Sequence, residues 1–244
     1  SDRDATKKSP VLVFRKGPSS LYQTFVEWFD YVWEKAAPQR VKLSDLISPV
    51  APSGAGLFAR WEGRHVFAIP KRDIIKYSGH VRFYGLGGKR ADRDESFTDC
   101  ALREGNEESS NSISRLVTSE YTDYIRNDGA ISRVNLTGDD IIPRVVLEKR
   151  AHSGFGAMKK EDDSYFIVAY DAELSKKPLP SNEVAAILFI PETILVQLAD
   201  GIHRRLSDLL AGGAEIFEQE GMEIPRSSVM IAYGLALYLI RNRN

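Results

Sequence analysis

The chain has 244 residues, 43% of them hydrophobic, with a formal net charge of −1 and one cysteine, Cys100. That length suits one large domain, or one domain with extensions. The near-zero charge excludes a global electrostatic pull toward nucleic acid or an anionic membrane, and a lone thiol excludes an intramolecular disulfide, which fits a reducing, cytoplasmic setting.

The opening "SDRDATKKSP" has no methionine and no apolar segment, so it is not a secretory signal peptide. It reads as a remnant of an added tail, or as the first residues of a fragment of a longer protein. "VLVFR" is strand-like, and "GPSS" offers a turn and a helix cap. In "LYQTFVEWFDYVWEKA" the residues Phe25, Trp28, Phe29, Val32 and Trp33 recur at spacings of three and four. That spacing predicts an amphipathic helix whose aromatic stripe is core. "APQR" ends it, and "VKLSDLISPVAPSGAG" reads as a linker.

From "GLFARWEGRHVFAIPKR" the texture changes: two apolar runs flank "WEGR", predicting a hairpin with Gly63 in its turn. "HVRFYGLGGKR" reads as a strand running into a glycine loop, and residues 95 to 108 as a helix. "SEYTDYIRND" and "AISRVNL" read as strands around an "NDG" turn; "IPRVVLEKRA", "SYFIVAYDAEL" and "EVAAILFIP" are further strands. The remainder reads as helical. Its apolar run "VMIAYGLALYLI" falls short of the roughly 18 residues that span a bilayer, so a buried C-terminal helix is expected. Strands around one central helix, with helices at both ends, make a mixed α/β or α+β domain.

The chemistry concentrates in the central helix, "DESFTDCALREGNEESS". Glu104, Glu107 and Glu108 lie at i, i+3 and i+4 and share a face. Each like-charge pair at that spacing costs a few tenths of a kcal/mol. A hard divalent cation offsets such repulsion, because Mg²⁺ prefers carboxylate oxygens and keeps substrate phosphates in its shell. The other face, with Phe97, Cys100, Ala101 and then Gly105, is small and apolar enough to dock on a sheet. Cys100 has no histidine near it in sequence and reads as packing. His65, His80, His152 and His203 show no zinc spacing, and no Walker pattern is present.

"GGKRADRDESFTDCALREGNEESS" resembles the signature of the Nudix hydrolase superfamily: a glycine, five residues, a glutamate, seven residues, then Arg-Glu-apolar-any-Glu-Glu-any-Gly-apolar. Glu95, Arg103, Glu104, Glu107 and Glu108 fall in register. Three departures stand out. Six residues, not five, separate Gly88 from Glu95; Gly105 takes the apolar place; Ser110 and Asn111 take the closing Gly-apolar places. The resemblance covers roughly residues 54 to 200. It implies a Nudix-like α/β/α sandwich with a mixed sheet and helical extensions at both ends. Residues 1–50 would be an N-terminal extension, 51–200 the Nudix domain, and 201–244 C-terminal helices packed on that domain.

The resemblance also implies metal-dependent hydrolysis of a diphosphate bond in a nucleoside diphosphate linked to another group. Glu104, Glu107 and Glu108 would hold Mg²⁺ or Mn²⁺. Arg103 would fix an acid, with Glu95 as its partner, and Gly87 and Gly88 would let the backbone approach metal or phosphate. Glu183 is the first candidate for a general base, ahead of Glu161, Asp162 and Asp163. His80 could touch substrate, and Phe83, Tyr84 or Phe155 could stack on a base. A small nucleotide is the implied partner, a homodimer or a place in a larger chain is family habit, and no membrane partner is expected. The overall charge gives an RNA-end-processing reading no support. A different class is also open: a Nudix-fold sensing or interaction module that binds a nucleotide without turnover.

Overall fold

A computed structural model describes residues 24, 26–29, 39–76, 79–150, 164–199 and 204–241. The chain divides into two compact units, Ser1–Gln39 and Arg40–Asn244. In the first, residues 24 and 26–29 are helical. Trp28 and Phe29 are exposed there, not buried as the stripe reading has it. The "VLVFR" strand lies outside the described residues.

In chain order the elements are β1 (Gln39–Val41), α1 (Leu43–Leu46), β2 (Ser53–Trp61), β3 (Arg64–Pro70), α2 (Lys71–Ile75), β4 (His80–Phe83), β5 (Leu86–Lys89), α3 (Phe97–Glu108), β6 (Ile113–Val117), β7 (Thr122–Ile125), β8 (Ile131–Leu136), β9 (Val145–Arg150), β10 (Ser164–Leu174), β11 (Val184–Pro191), α4 (Glu192–Ala199), β12 (Arg204–Arg205), α5 (Leu206–Ala211), β13 (Glu215–Glu218), β14 (Val229–Ala232) and α6 (Leu235–Arg241). The large mixed sheet runs β1-β8-β7-β9-β10-β2-β3-β11-β13, with β5 added beside β2 and β6 beside β10. A smaller sheet runs β12-β14-β4. The domain is mixed α/β.

Strand periodicity explains the layers. Along β11, Ala186, Leu188 and Ile190 enter one core, while Ile187 and Phe189 enter the other. β3 does the same with Phe67 and Ile69 against Val66 and Ala68. A strand buried on both faces reads as a continuous apolar run, as "VAAILFIP" does. One core is closed by α4, α5 and α6 through Leu195, Leu206, Leu209 and Leu239. The other is closed by α3 through Cys100 and Ala101, with Leu43 and Ile47 joining it. Each fully buried aliphatic side chain is worth about 1.5–3 kcal/mol.

The β2–β3 hairpin turns through Glu62 (φ 48°) and Gly63 (φ 77°), both left-handed, as a tight two-residue turn requires. Asp128 and Gly129 (φ 87°) make the turn between β7 and β8. A strand absent from the sequence expectations is "ISRLV", β6. Two expectations are corrected. "VKLSDLISPVAPSGAG" is not a plain linker, because Leu43 and Ile47 are buried and Ser53 begins β2. The C-terminal stretch is not all helix: "EIFE" is β13, paired with β11, and "VMIA" is β14, parallel to β4. The run "VMIAYGLALYLI" changes from strand to helix at Gly234 (φ 59°), a break that a continuous apolar run conceals. Among the described residues no helix is long and apolar enough to cross a membrane.

Candidate functional site

The glycines expected to form a loop are a strand. Gly87 and Gly88 lie in β5 opposite Gly56 and Ala55 of β2. Facing glycines let the two backbones close up. A Cβ on Gly54 would sit 2.2 Å from the Gly88 carbonyl oxygen, and one on Gly87 (φ +132°) would sit 2.3 Å from the Ala55 carbonyl oxygen. The loop proper spans 90–96 and ties itself down. Asp92 Oδ1 accepts from the Asp94 and Glu95 amides at 2.8 and 2.9 Å, and Arg90 Nε donates to the Glu95 carbonyl at 2.7 Å.

Ser96 then caps α3, its Oγ accepting from the Asp99 amide at 3.0 Å. Gly105 faces β2: a Cβ there would lie 2.3 Å from Leu57 Cδ1. The glycine at the family's apolar position therefore lets the helix pack tightly on the sheet. Cys100 is fully buried and burial pushes its thiol up to about 11, which suits packing and not nucleophilic attack.

Arg103 is the hub of the charged face. Its Nε and Nη2 donate to the two Glu95 oxygens at 2.7 and 3.1 Å, and its Nη1 donates to Glu104 Oε1 at 2.7 Å. Nη2 also reaches the Lys89 carbonyl at 3.0 Å, tying α3 to the end of β5. A bidentate guanidinium–carboxylate pair of this kind fixes geometry as well as charge. The Arg103 bond, helped by the Ala91 amide, holds the Glu95 carboxyl down at about 2.

The three acids divide. The Glu104 carboxylate rests on Gly88, where a Cβ would meet its oxygens at 2.2 and 2.7 Å. Glu108 Oε2 accepts from the Gly87 amide at 2.7 Å. Glu107 is 49% exposed and lies 3.7 Å from Arg103. As they stand, no group of three or more His, Cys, Asp or Glu among the described residues could hold a metal ion. Arg103 draws Glu104 and Glu107 toward itself, while Glu108 turns to the β5 backbone.

Even so, negative charge is in excess beside Gly87. Burial foremost, then Glu104 and Glu183, pushes the Glu108 carboxyl up to about 8, against the pull of the Gly87 amide and Arg72. Glu183 therefore comes close enough to act on Glu108, although 75 positions separate them. The reason is the helix exit. Ser110 (φ 55°) and Asn111 (φ 56°) adopt the left-handed conformation that glycine serves in the family pattern. Ser110 is held by its amide on Ser181 Oγ at 3.1 Å and its hydroxyl on the Leu179 carbonyl at 3.1 Å. The Ser181 hydroxyl donates in turn to the Glu107 carbonyl, and its amide to the Glu108 carbonyl at 3.3 Å. The turn before β11, with Glu183, is thus stitched to the end of the acidic helix. Sequence spacing carries no trace of that contact.

The remaining candidates scatter. His80 begins β4, exposed and paired with Val229 in the smaller sheet. Phe83 is fully buried core and offers no face to a base. Tyr84 is half-buried. Phe155, Glu161, Asp162, Asp163, His152 and His203 lie outside the described residues. Buried His65 bonds Glu192 through Nε2 at 2.8 Å, beside a cavity of about 390 Å³ lined by Phe58, Arg60, Arg144 and Asp171. None of the acids around Gly87 and Gly88 lines that cavity.

The residues at Gly87–Gly88 fit a hard cation in two respects. The donors are carboxylate oxygens, and the bare backbone at Gly88 lets the Glu104 carboxylate lie against it, in space that a Cβ would take. No protein-family model matches the chain, and no curated protein matches it. Among solved structures the chain is similar to a Nudix hydrolase from Nitrosomonas europaea, at 15% identity over 59% of this chain and 58% of that one, with TM-score 0.34. It is similar to a MutT protein from Bacillus halodurans, at 13% identity over 60% and 72%, with TM-score 0.35. It is also similar to an ADP-ribose pyrophosphatase from Streptococcus suis, at 15% identity over 57% and 73%, with TM-score 0.31. The chain thus spans less than two thirds of the Nitrosomonas protein.

Proposed function

We propose that this chain hydrolyses a diphosphate bond in a nucleoside diphosphate linked to another group, with Mg²⁺ or Mn²⁺ bound by Glu104, Glu107 and Glu108. The observation that carries the reading is the convergence of carboxylates on β5: Glu104 lies against Gly88 and Glu108 accepts from the Gly87 amide, while the single guanidinium of Arg103 is shared between Glu95 and Glu104. The bound cation would neutralise the diphosphate and make a coordinated water a better nucleophile. Arg103 keeps Glu104 pointed at Gly88, and the side-chain-free strand lets the substrate's phosphates approach the β5 backbone. Glu183 takes the proton from the attacking water. A new O–P bond forms, the bridging P–O bond breaks, and its electron pair leaves with the departing phosphate group. Positioning and electrostatics carry most of the acceleration.

The test is a panel of nucleoside diphosphate derivatives incubated with Mg²⁺ or Mn²⁺, with released phosphate measured after phosphatase coupling. Turnover of at least one compound, lost in EDTA and reduced about 10²-fold or more by Glu107→Gln or Glu108→Gln, is the expected result. Glu183→Gln is expected to lower kcat with little change in KM.

One observation favours the second reading, a module that binds a nucleotide without turnover: Glu107 stands exposed, and the three acids are not gathered into a metal cage. Micromolar binding of a panel member, with no turnover of any, would establish that reading in place of hydrolysis.

A further inference from the structure

Beside the acids lies the opposite imbalance. β4 and β14 run parallel, with Phe83 opposite Ala232, so Tyr84 and Tyr233 emerge side by side with ring centroids 5.3 Å apart. Three cations gather round them. The Arg72 guanidinium lies 5.8 Å from the Tyr84 ring, Arg82 lies 6.0 and 5.6 Å from the two rings, and Lys149 Nζ lies 5.3 Å from Tyr233. Arg241 acts on Lys149 as a like charge.

Among the described residues, one carboxylate forms an ion pair with them. Buried Asp73 receives Arg82 Nη2 on Oδ1 at 2.7 Å, and its Oδ2 has no hydrogen-bond partner. Arg72 and Lys149 have no carboxylate within ion-pair distance among the described residues. Burial first, then Arg241, pulls the Lys149 ammonium below its usual range. Arg72 connects the two zones, because it acts on both Tyr84 and Glu108. Cations crowded against aromatic walls without acids are an arrangement that a phosphate relieves.

We propose that Arg72, Lys149 and the Tyr84–Tyr233 wall form an anion subsite for a phosphate that the nucleotide carries beyond the diphosphate being cleaved. The proposal rests on the hydrolytic reading above and narrows its substrate class to nucleotides with an additional phosphate. That phosphate is either a monoester on the ribose or a diester leading to a second nucleotide. The Arg82–Asp73 pair holds the wall in place. The bonded Asp73 Oδ1 keeps Arg82 from swinging away toward the ligand.

Binding is measured calorimetrically on the full chain in EDTA at low salt, so that no turnover contributes. The probes are AMP, adenosine 3′,5′-bisphosphate and the dinucleotide pApA. We expect one of the two doubly phosphorylated probes to bind about tenfold more tightly than AMP, the size of one charge-assisted contact. A tighter bisphosphate supports the monoester source, and a tighter dinucleotide supports the diester. Lys149→Ala and Arg72→Ala should each erase that preference, while Lys149→Arg and Arg72→Lys, which keep the charge, retain most of it. Equal affinity of the native protein for all three probes would overturn the proposal, as would a preference that survives both alanine variants. A preference that behaves as expected, in a protein that turns over nothing on the panel, would sink hydrolysis and leave the subsite standing.

Discussion

Glu95 and Glu108 belong to the same charged stretch, thirteen positions apart, and their surroundings make them opposites. Glu95 is clamped by both arms of Arg103 and by the Ala91 amide, and its carboxyl is held down at about 2. Glu108 has one amide bond and distant Arg72 on its side. Burial, Glu104 and Glu183 push its carboxyl up to about 8. The first carboxylate is finished business, serving to orient Arg103 and through it Glu104. The second is buried with Glu104 and Glu183 acting against it, and a carboxyl so perturbed is a candidate for chemistry.

The largest break in this contrast comes from Gly88→Ala. The added methyl would occupy the place of the Glu104 carboxylate, so turnover should fall about 10²–10³-fold in steady-state assays while the far-ultraviolet circular dichroism stays native. Next, Arg103→Ala frees Glu95 and Glu104 together. Half-buried partners left unpaired should cost about 2–3 kcal/mol in urea unfolding, with activity also lost.

Acidity sharpens the same comparison. The folded Glu108 carboxyl titrates near 8, above its ordinary 4.5. Between those values the unfolded chain releases a proton that the folded chain keeps, so cation-free stability is lost as pH rises through that window. Glu108→Gln removes this loss. Its melting temperature should exceed the native one at pH 8 without metal and match it below pH 4.5. Saturating Mn²⁺ should reverse the order at pH 8. Glu95 has the contrary sign: its contribution is present above 4.5 and is lost as pH falls through about 2.

Gly105→Ala is a smaller perturbation. Its methyl runs into Leu57, at an overpacking cost of about 1–3 kcal/mol, partly offset by about 1 kcal/mol of helix propensity. Net destabilisation of up to about 2 kcal/mol should appear in urea unfolding. Ser181→Ala should be the mildest, about 1 kcal/mol. It loosens the stitch that brings Glu183 to the helix, so kcat should fall more than KM changes.

Much of this was legible in the residues. The helix, its Ser96 start, the tight hairpin at Gly63 and the double-faced strand β11 all follow from local pattern, because capping, turn dihedrals and period-two burial act over a few neighbours. The pairing of Arg103 with Glu95 was legible only through the family resemblance, since Glu95 lies in the loop before α3 and spacing alone does not join the two. What local pattern conceals is long-range contact. Gly87 and Gly88 look like a loop until Gly56 and Ala55 are placed opposite them. β14 looks helical until β4 offers it a partner. Shared spacing put Glu104, Glu107 and Glu108 on one helix face. It could not foresee that Arg103 and the Gly87 amide pull their carboxylates in different directions.

The surplus charge beside Gly87 is tested most directly by titrating the native chain and Glu108→Gln with Mn²⁺ at pH 8, following free ion by electron paramagnetic resonance. The account predicts saturable binding to the native chain, weakened about tenfold or more when that carboxylate becomes an amide. Equal binding by both proteins, or none by the native chain, would contradict it.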